Sequence, residues 1–340
     1  FLSTCLITTA TGSSIGTLFT AFPILYPAGI LLGSNPSFLA GAILSGAIFG
    51  DNLAPISDVT IATSSTQEFK YKEGTADIAG VVLYRLKYAL IAGTISLILF
   101  FIFGGGGIVS VGAEEILQKN MNPKGLWMLL PVFFLLFTSI KTRDIFKSVT
   151  VGIITGIIIG LFTGAFSVET ILTVENGNIK GFLFEGFSSM IGICIFCIAL
   201  FGIMGILNAS GAMEYVIKSI CKSNLSQTRR GTEILMALGT IIVTTLLGGV
   251  TSASTLTFGP VANDIGKRMN IHPYRRANIL SGYANSLPAI IPFISAFIFI
   301  SAIVIKPISE EFSQASVTPM QISLGTLYPF ILFIDYTNAL

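Results

Sequence analysis

Nine apolar runs of roughly membrane-spanning length dominate this 340-residue chain. A helix rises 1.5 Å per residue, so roughly 20 apolar residues cross about 30 Å of hydrocarbon. A single water-soluble core cannot absorb so much apolar surface. Hydrophobic residues make up 52% of the chain and charged ones 11%, against roughly 25% charged in soluble domains. Lipid offers no partner to a bare peptide group, so each span must satisfy its own backbone. The expected fold is an all-α polytopic membrane protein.

Five runs are uninterrupted: residues 88–110, 125–140, 148–166, 187–207 and a partial one at 327–340. Four others, 1–32, 38–66, 233–266 and 277–300, carry a polar, Gly- or Pro-bearing break at membrane depth. Lys and Arg number four in 67–87, two in 111–124, three in 141–147, one in 167–186, four in 208–232, four in 267–276 and one in 301–326. The positive-inside rule sends the richer loops to the cytoplasm. Residues 208–232 and 267–276 then share a side, so the segment between them must enter and return, as a broken helix with a re-entrant piece does.

An internal repeat has an offset near 236. Ser13-Ser14-Ile15-Gly16-Thr17-Leu18 with Pro23 recurs as Thr251-Ser252-Ala253-Ser254-Thr255-Leu256 with Pro260. Ile43-Leu44-Ser45-Gly46 with Leu53-Ala54-Pro55 recurs as Ile279-Leu280-Ser281-Gly282 with Leu287-Pro288. The connector 30–37 holds no Lys or Arg where its counterpart 267–276 holds four, which implies opposite orientation of the copies. The expected organisation is a first repeat core at 1–87, intervening helices at 88–231, a second repeat core at 232–325 and a partial span at 326–340. Inverted repeats with broken helices are a secondary-transporter architecture, with substrate held where the breaks meet.

Residues 50–60 carry the densest chemistry. Asp51 and Asp58 are two carboxylates in an apolar region, where ionised groups are costly and functional. Pro55 between them removes a backbone donor and frees carbonyl oxygen. With Asn52, Ser57 and Thr60 they form an oxygen-rich set suited to a hard cation such as Na⁺, and the alternative is a solvated loop in which the acids cap a helix. At the other breaks Ser13, Ser14, Thr17, Thr251, Ser252, Ser254, Thr255, Asn285 and Ser286 are expected to line a cavity, against a packing role in which hydroxyls bond their own helix. Asp264 is expected to pair with the neighbouring cations and Glu233 to stand at a helix start.

Other chemistries lack their parts. His272 is the single histidine and stands in a basic loop, so no His-based metal set or Ser-His-Asp triad can be assembled elsewhere, and an enzyme is not expected. The spacing of Cys194 and Cys197 reads as packing within a span. Residues 104–107 are four glycines without the Lys-Ser/Thr of a phosphate loop. A net charge of +2 argues against nucleic acid, and no cofactor is implied. Phe1 opens inside an apolar run without Met or a charged leader, so the chain reads as lacking its own start.

The 50–60 stretch, with Gly12-Ser13-Ser14-Ile15-Gly16-Thr17 and Arg275-Arg276-Ala277-Asn278-Ile279-Leu280, resembles the NhaC-type Na⁺/H⁺ antiporter family. Members are longer at the front, and many carry an acidic residue where Ser281 stands here. Some relatives exchange organic solutes such as malate for lactate. The resemblance implies a multi-pass protein of the cytoplasmic membrane, in contact with the bilayer, that exchanges Na⁺ for H⁺ by alternating access. Asp51 and Asp58 are then the competing site, and a homodimer is a conceivable assembly. The alternative is a proton- or sodium-coupled exchanger of organic anions or amino acids.

Overall fold

The computed structural model describes residues 1–106, 127, 129–142, 145–175, 178–184, 227–311 and 315–340, with scattered positions between 188 and 218. Cys194, Cys197 and most of the 187–207 run lie outside them. Helices α1 (Leu2–Thr11), α2 (Ser14–Leu31), α3 (Pro36–Leu53), α4 (Asp58–Ser65) and α5 (Ile78–Phe103) open the chain. Next come α6 (Leu129–Thr142), α7 (Ile145–Thr163), α8 (Val168–Ile171) and the strands β1 (Thr173–Glu175) and β2 (Asn178–Lys180). The last third holds α9 (Arg229–Leu246), α10 (Thr251–Arg268), α11 (Pro273–Ala284), α12 (Leu287–Ile290), α13 (Ala296–Glu311), α14 (Pro319–Gly325) and α15 (Leu327–Asn338). Two units result, one of Phe1–Ser110 with Ile206–Leu340 and one of Val111–Gly205.

In the smaller unit α6 and α7 pack against each other, and Gly152 lies on Leu135. There β1 and β2 pair antiparallel, with Thr173 opposite Lys180. The larger unit holds every break in the apolar runs. Among the described residues Ser14–Leu31, Pro36–Ser65 and Ile78–Phe103 are long and apolar enough to cross a membrane. At 26 residues α5 reaches about 39 Å, and it leaves Leu90, Ile95, Ile98 and Phe101 exposed along one side. Such a row suits lipid, not water. The chain is an all-α membrane protein.

Local chemistry fixes where the helices start. Asn35 caps α3 through the Ser37 N–H at 3.0 Å, with Pro36 as its first residue. His272 does the same for α11, ahead of Pro273. The helix bounds themselves repeat. Residue 251 answers 14, 273 answers 36 and 290 answers 53, each 237 positions apart. The left-handed positions follow, Gly12 (φ 69) with Gly249 (φ 79) and Gly33 (φ 76) with Asn270 (φ 53).

Contacts between the copies run in opposite order. Arg276, near the start of α11, reaches Gln67 just past α4. Further along, Ser281 reaches Asn52. At the end of α12 the Ile290 carbonyl meets Ser323 of α14, whose Gly325 lies on Gly41 near the start of α3. Residues 229–268 form a hairpin, since Arg275 beyond its second arm binds Glu233 near the start of its first.

Two departures from sequence reading concern charge. The 67–87 segment is not all loop, because α5 begins at Ile78 and buries Arg85 completely. Arg275 and Arg276 belong to α11 and are buried as well. Three cations assigned to loops are therefore inside the bundle.

The backbones of α3 and α14 touch. A Cβ on Gly41 meets the Gly325 carbonyl oxygen at 1.9 Å, with no side chain able to yield. Gly41→Ala is expected to cost about 3 kcal/mol or more, read as lost thermal stability in detergent. Gly105→Ala, which meets nothing within 4 Å, should be neutral.

Candidate functional site

Two helix breaks face each other. The first lies between α3 and α4 at residues 54–57, and the second between α11 and α12 at Asn285 and Ser286. In each, proline removes a helix bond. The Asp51 carbonyl would take its proton from residue 55, which is Pro55, and the Ala284 carbonyl from residue 288, which is Pro288. The left-handed turn at Gly12, where α1 gives way to α2, lies against Ile56 of the first break, and a side chain there would meet Ile56 Cγ1 at 2.5 Å.

Asp51 lies in the last turn of α3 and is 2% exposed. Its Oδ2 accepts from the Ser14 hydroxyl at 3.5 Å, the outer limit of such a bond, and its Oδ1 is buried with no partner. Beside it Asn52 is fully committed. Its Nδ2 donates to Tyr328 at 3.0 Å, while its Oδ1 accepts from Ser281 at 3.1 Å and from Asn285 at 3.3 Å. Asn285 keeps its own Oδ1 buried and without a partner.

Arg85 holds the first break open. Its Nη1 donates to the Asn52 carbonyl at 2.7 Å and to Thr60 Oγ1 at 3.2 Å, and its Nε to Asn278 Oδ1 at 2.8 Å. The Asn52 carbonyl, which has no helical donor beyond the break, is thus met by a guanidinium. The remaining Nη2 is buried and unpartnered. Asn278 is anchored in turn through the carbonyls of Val81 and Tyr274.

The sequence-derived candidates separate on this frame. Asp51, Asn52, Ser57 and Thr60 are buried around the first break; Thr60 serves Arg85, and Ser57 caps α4 while its hydroxyl also neighbours the Asp51 carboxyl. Asp58 is not enclosed with Asp51. It is the exposed first residue of α4, and its carboxylate accepts from the Val59 N–H at 2.9 Å. The cause is geometric, because Pro55 and the turn after it redirect the chain before Asp58 can share the face of Asp51. Of the expected cavity residues, Ser14 and Asn285 reach the cluster.

The others bond to nearby backbone, while Thr17 also shares a bond with Thr11 of α1 at 3.3 Å and Ser254 accepts from Thr244 of α9 at 2.8 Å. Ser13 caps α2, and Thr17 donates to the Ser13 carbonyl. Ser254 and Thr255 donate to the carbonyls of Thr251 and Ser252, and Ser286 to that of Tyr283. No hydrogen bond joins the Ser13 and Thr251 groups among the described residues. The expected pairing of Asp264 is also replaced: it is exposed without an ion pair among these residues, Lys267 binds Glu68, and Arg275 binds Glu233 at 2.9 Å.

Sequence reading missed Arg85, Asn278 and Tyr328. The available signal for Arg85 was its setting, Val81-Val82-Leu83-Tyr84 before it and Leu86 after. Arg85→Met strips three acceptors of their donor and is expected to cost on the order of 3 kcal/mol in an unfolding titration. Arg85→Lys should recover part of that, since a point charge cannot reproduce the fork.

A model of the Na⁺/H⁺ antiporter family matches residues 1–105 and 76–310. The malate-2H⁺/Na⁺-lactate antiporter of Bacillus subtilis (strain 168) is 27% identical over 282 residues, covering 78% of this chain and 58% of that protein. An uncharacterized Na⁺/H⁺ antiporter of Haemophilus influenzae is 22% identical over 322 residues, 86% of this chain and 65% of the relative. The Na⁺/H⁺ antiporter NhaC of Bacillus subtilis (strain 168) is 23% identical over 247 residues, 67% and 52%. This chain spans between half and two-thirds of the length of these three relatives. No solved structure gives a significant match. With the family model matched over most of its length, the chain belongs to the Na⁺/H⁺ antiporter family.

Proposed function

We propose that this chain exchanges Na⁺ for H⁺ across the cytoplasmic membrane, as a multi-pass transporter with inverted repeats, and that Asp51 is its coupling carboxylate. One observation carries the reading. Among the buried atoms without a partner, two are acceptors at the facing breaks, Asp51 Oδ1 and Asn285 Oδ1. Orphaned acceptors in a dry site are costly, and a hard cation satisfies both. The Asp51 carbonyl, deprived of its helical donor by Pro55, adds a third oxygen.

Competition couples the two ions. A desolvated carboxylate favours a bound positive charge, and it holds either a proton or Na⁺. With Arg85 nearby as a fixed cation, the proton-loaded and sodium-loaded sites carry the same net charge, so one conformational step serves both. Asp58, exposed at the start of α4, is assigned to the approach to the site. The hairpin of α9 and α10 is assigned a re-entrant position, its open end toward the cytoplasm, in keeping with Arg229, Arg230, Lys267 and Arg268 at that end, none of which is buried. Transport needs no enzyme chemistry.

A second reading has its own support. Arg85 Nη2 is a buried donor without a partner, and guanidinium forks bind carboxylates in two-point fashion. An organic anion could take that donor together with the Asn285 amide, in line with the name of the Bacillus subtilis malate/lactate relative.

Proteoliposomes separate these outcomes. Asp51→Asn should reduce Na⁺-driven proton flux to background, while Asp58→Asn should retain it within about threefold, as expected for an exposed charge. Flux retained in Asp51→Asn removes Asp51 from the mechanism. Labelled malate or lactate uptake that depends on Arg85 establishes the second reading instead. Lowering pH should raise the apparent KM for Na⁺ and leave the maximal rate unchanged, because the proton competes for one carboxylate.

A further inference from the structure

Away from the breaks, a cavity of about 530 Å³ opens between the segment after α4 and the turn joining α10 to α11. Ten residues line it, four of them cations and none acidic: Lys70, Lys72, Arg229 and Arg276, with His272 and Asn270 beside them. The nearest acids are engaged elsewhere, Glu68 by Lys267, Asp77 by the Tyr274 hydroxyl and Glu233 by Arg275. Glu73 is exposed on the same segment and does not line the cavity.

The lining offers donors with no acceptor among the described residues. Lys72 lies over the Phe69 ring at 3.8 Å and Lys70 over Tyr71 at 5.4 Å, so both ammonium groups rest on aromatic faces instead of carboxylates. Arg229 is exposed and meets Glu233 only at 3.9 Å. His272 accepts the Tyr274 N–H at Nδ1, which leaves Nε2 as its donor. Arg276 already donates to Gln67, Ile271, Glu68 and Asn263 and contributes chiefly charge. Burial first, then Arg276 and Lys72, lower the proton affinity of His272, a mark of positive potential.

Of the four cations, only Arg276 is tied into the fold by hydrogen bonds among the described residues. We propose that this cavity binds a phosphate group, presented by an acidic phospholipid headgroup or by a small phosphate-bearing solute. Basic pockets at the cytoplasmic ends of spanning helices suit that chemistry. The proposal is independent of the transport reading, since none of these residues touches the Asp51 cluster.

The full chain in phosphatidylcholine nanodiscs, titrated with inorganic phosphate and followed by thermal shift, tests the solute source. Discs doped with phosphatidylglycerol, followed by native mass spectrometry of retained lipid, test the lipid source. Binding in either arm should weaken roughly fivefold for each charge removed in the series Lys72→Gln, Lys70→Gln and Arg229→Gln, with unfolding temperature and Na⁺-driven flux in the absence of the anion unchanged. Lys72→Gln alone serves where the triple variant fails to fold. Absence of binding in both arms, or equal binding by the variants, overturns the proposal.

Discussion

A helix that breaks inside an apolar bundle exposes carbonyl oxygens where water cannot reach them, and each must find a donor or a cation. In this protein the Asn52 carbonyl finds one. It is held by Arg85, a guanidinium brought in from a separate helix and anchored by Asn278 of α11. Those two bonds tie α3, α5 and α11 together at the level of the breaks. Without it the interruption between α3 and α4 would leave an unpaired carbonyl in a dry core, a cost comparable to a sizeable part of a domain's net stability.

The two copies divide the work unequally. Each has a cap followed by proline at its second helix start, a left-handed turn before its first, and a proline that disarms a carbonyl at its break. The first copy supplies a carboxylate at its break, the second an amide. Asn52 bridges them by taking donors from Ser281 and Asn285. With Asn52 spent as a strut, the acceptors left without a partner at the breaks are Asp51 Oδ1 and Asn285 Oδ1, so the proposed site has one titratable group.

How much of this was legible follows from what periodicity and hydropathy measure. The breaks at Gly12 and Pro55 and the recurrence of residues 13–18 at 251–256 stand in the residues themselves, because glycine and proline act through local backbone geometry. Arg85, Arg275 and Arg276 were misread as loop cations, since a hydropathy window treats any charge as an end. Their burial depends on partners such as Asn278, Glu233 and Gln67, which lie 42 to 209 residues distant. Asp58 shared the apolar setting of Asp51 on paper, yet whether a residue near a break faces inward is set by the turn's direction. The hydroxyls of Thr17, Ser254 and Thr255 were legible as polar, but not as already spent on their own helix.

In the proposed exchange, one positive guest must leave the enclosed Asp51 carboxylate before another enters. Calorimetric titration of Na⁺ into the purified full chain, repeated in buffers of different ionisation enthalpy, counts the protons released. The expected result is release approaching one proton for each Na⁺ bound at pH values where the site is protonated, falling toward none as pH rises. Saturable Na⁺ binding without proton release at every pH would contradict it.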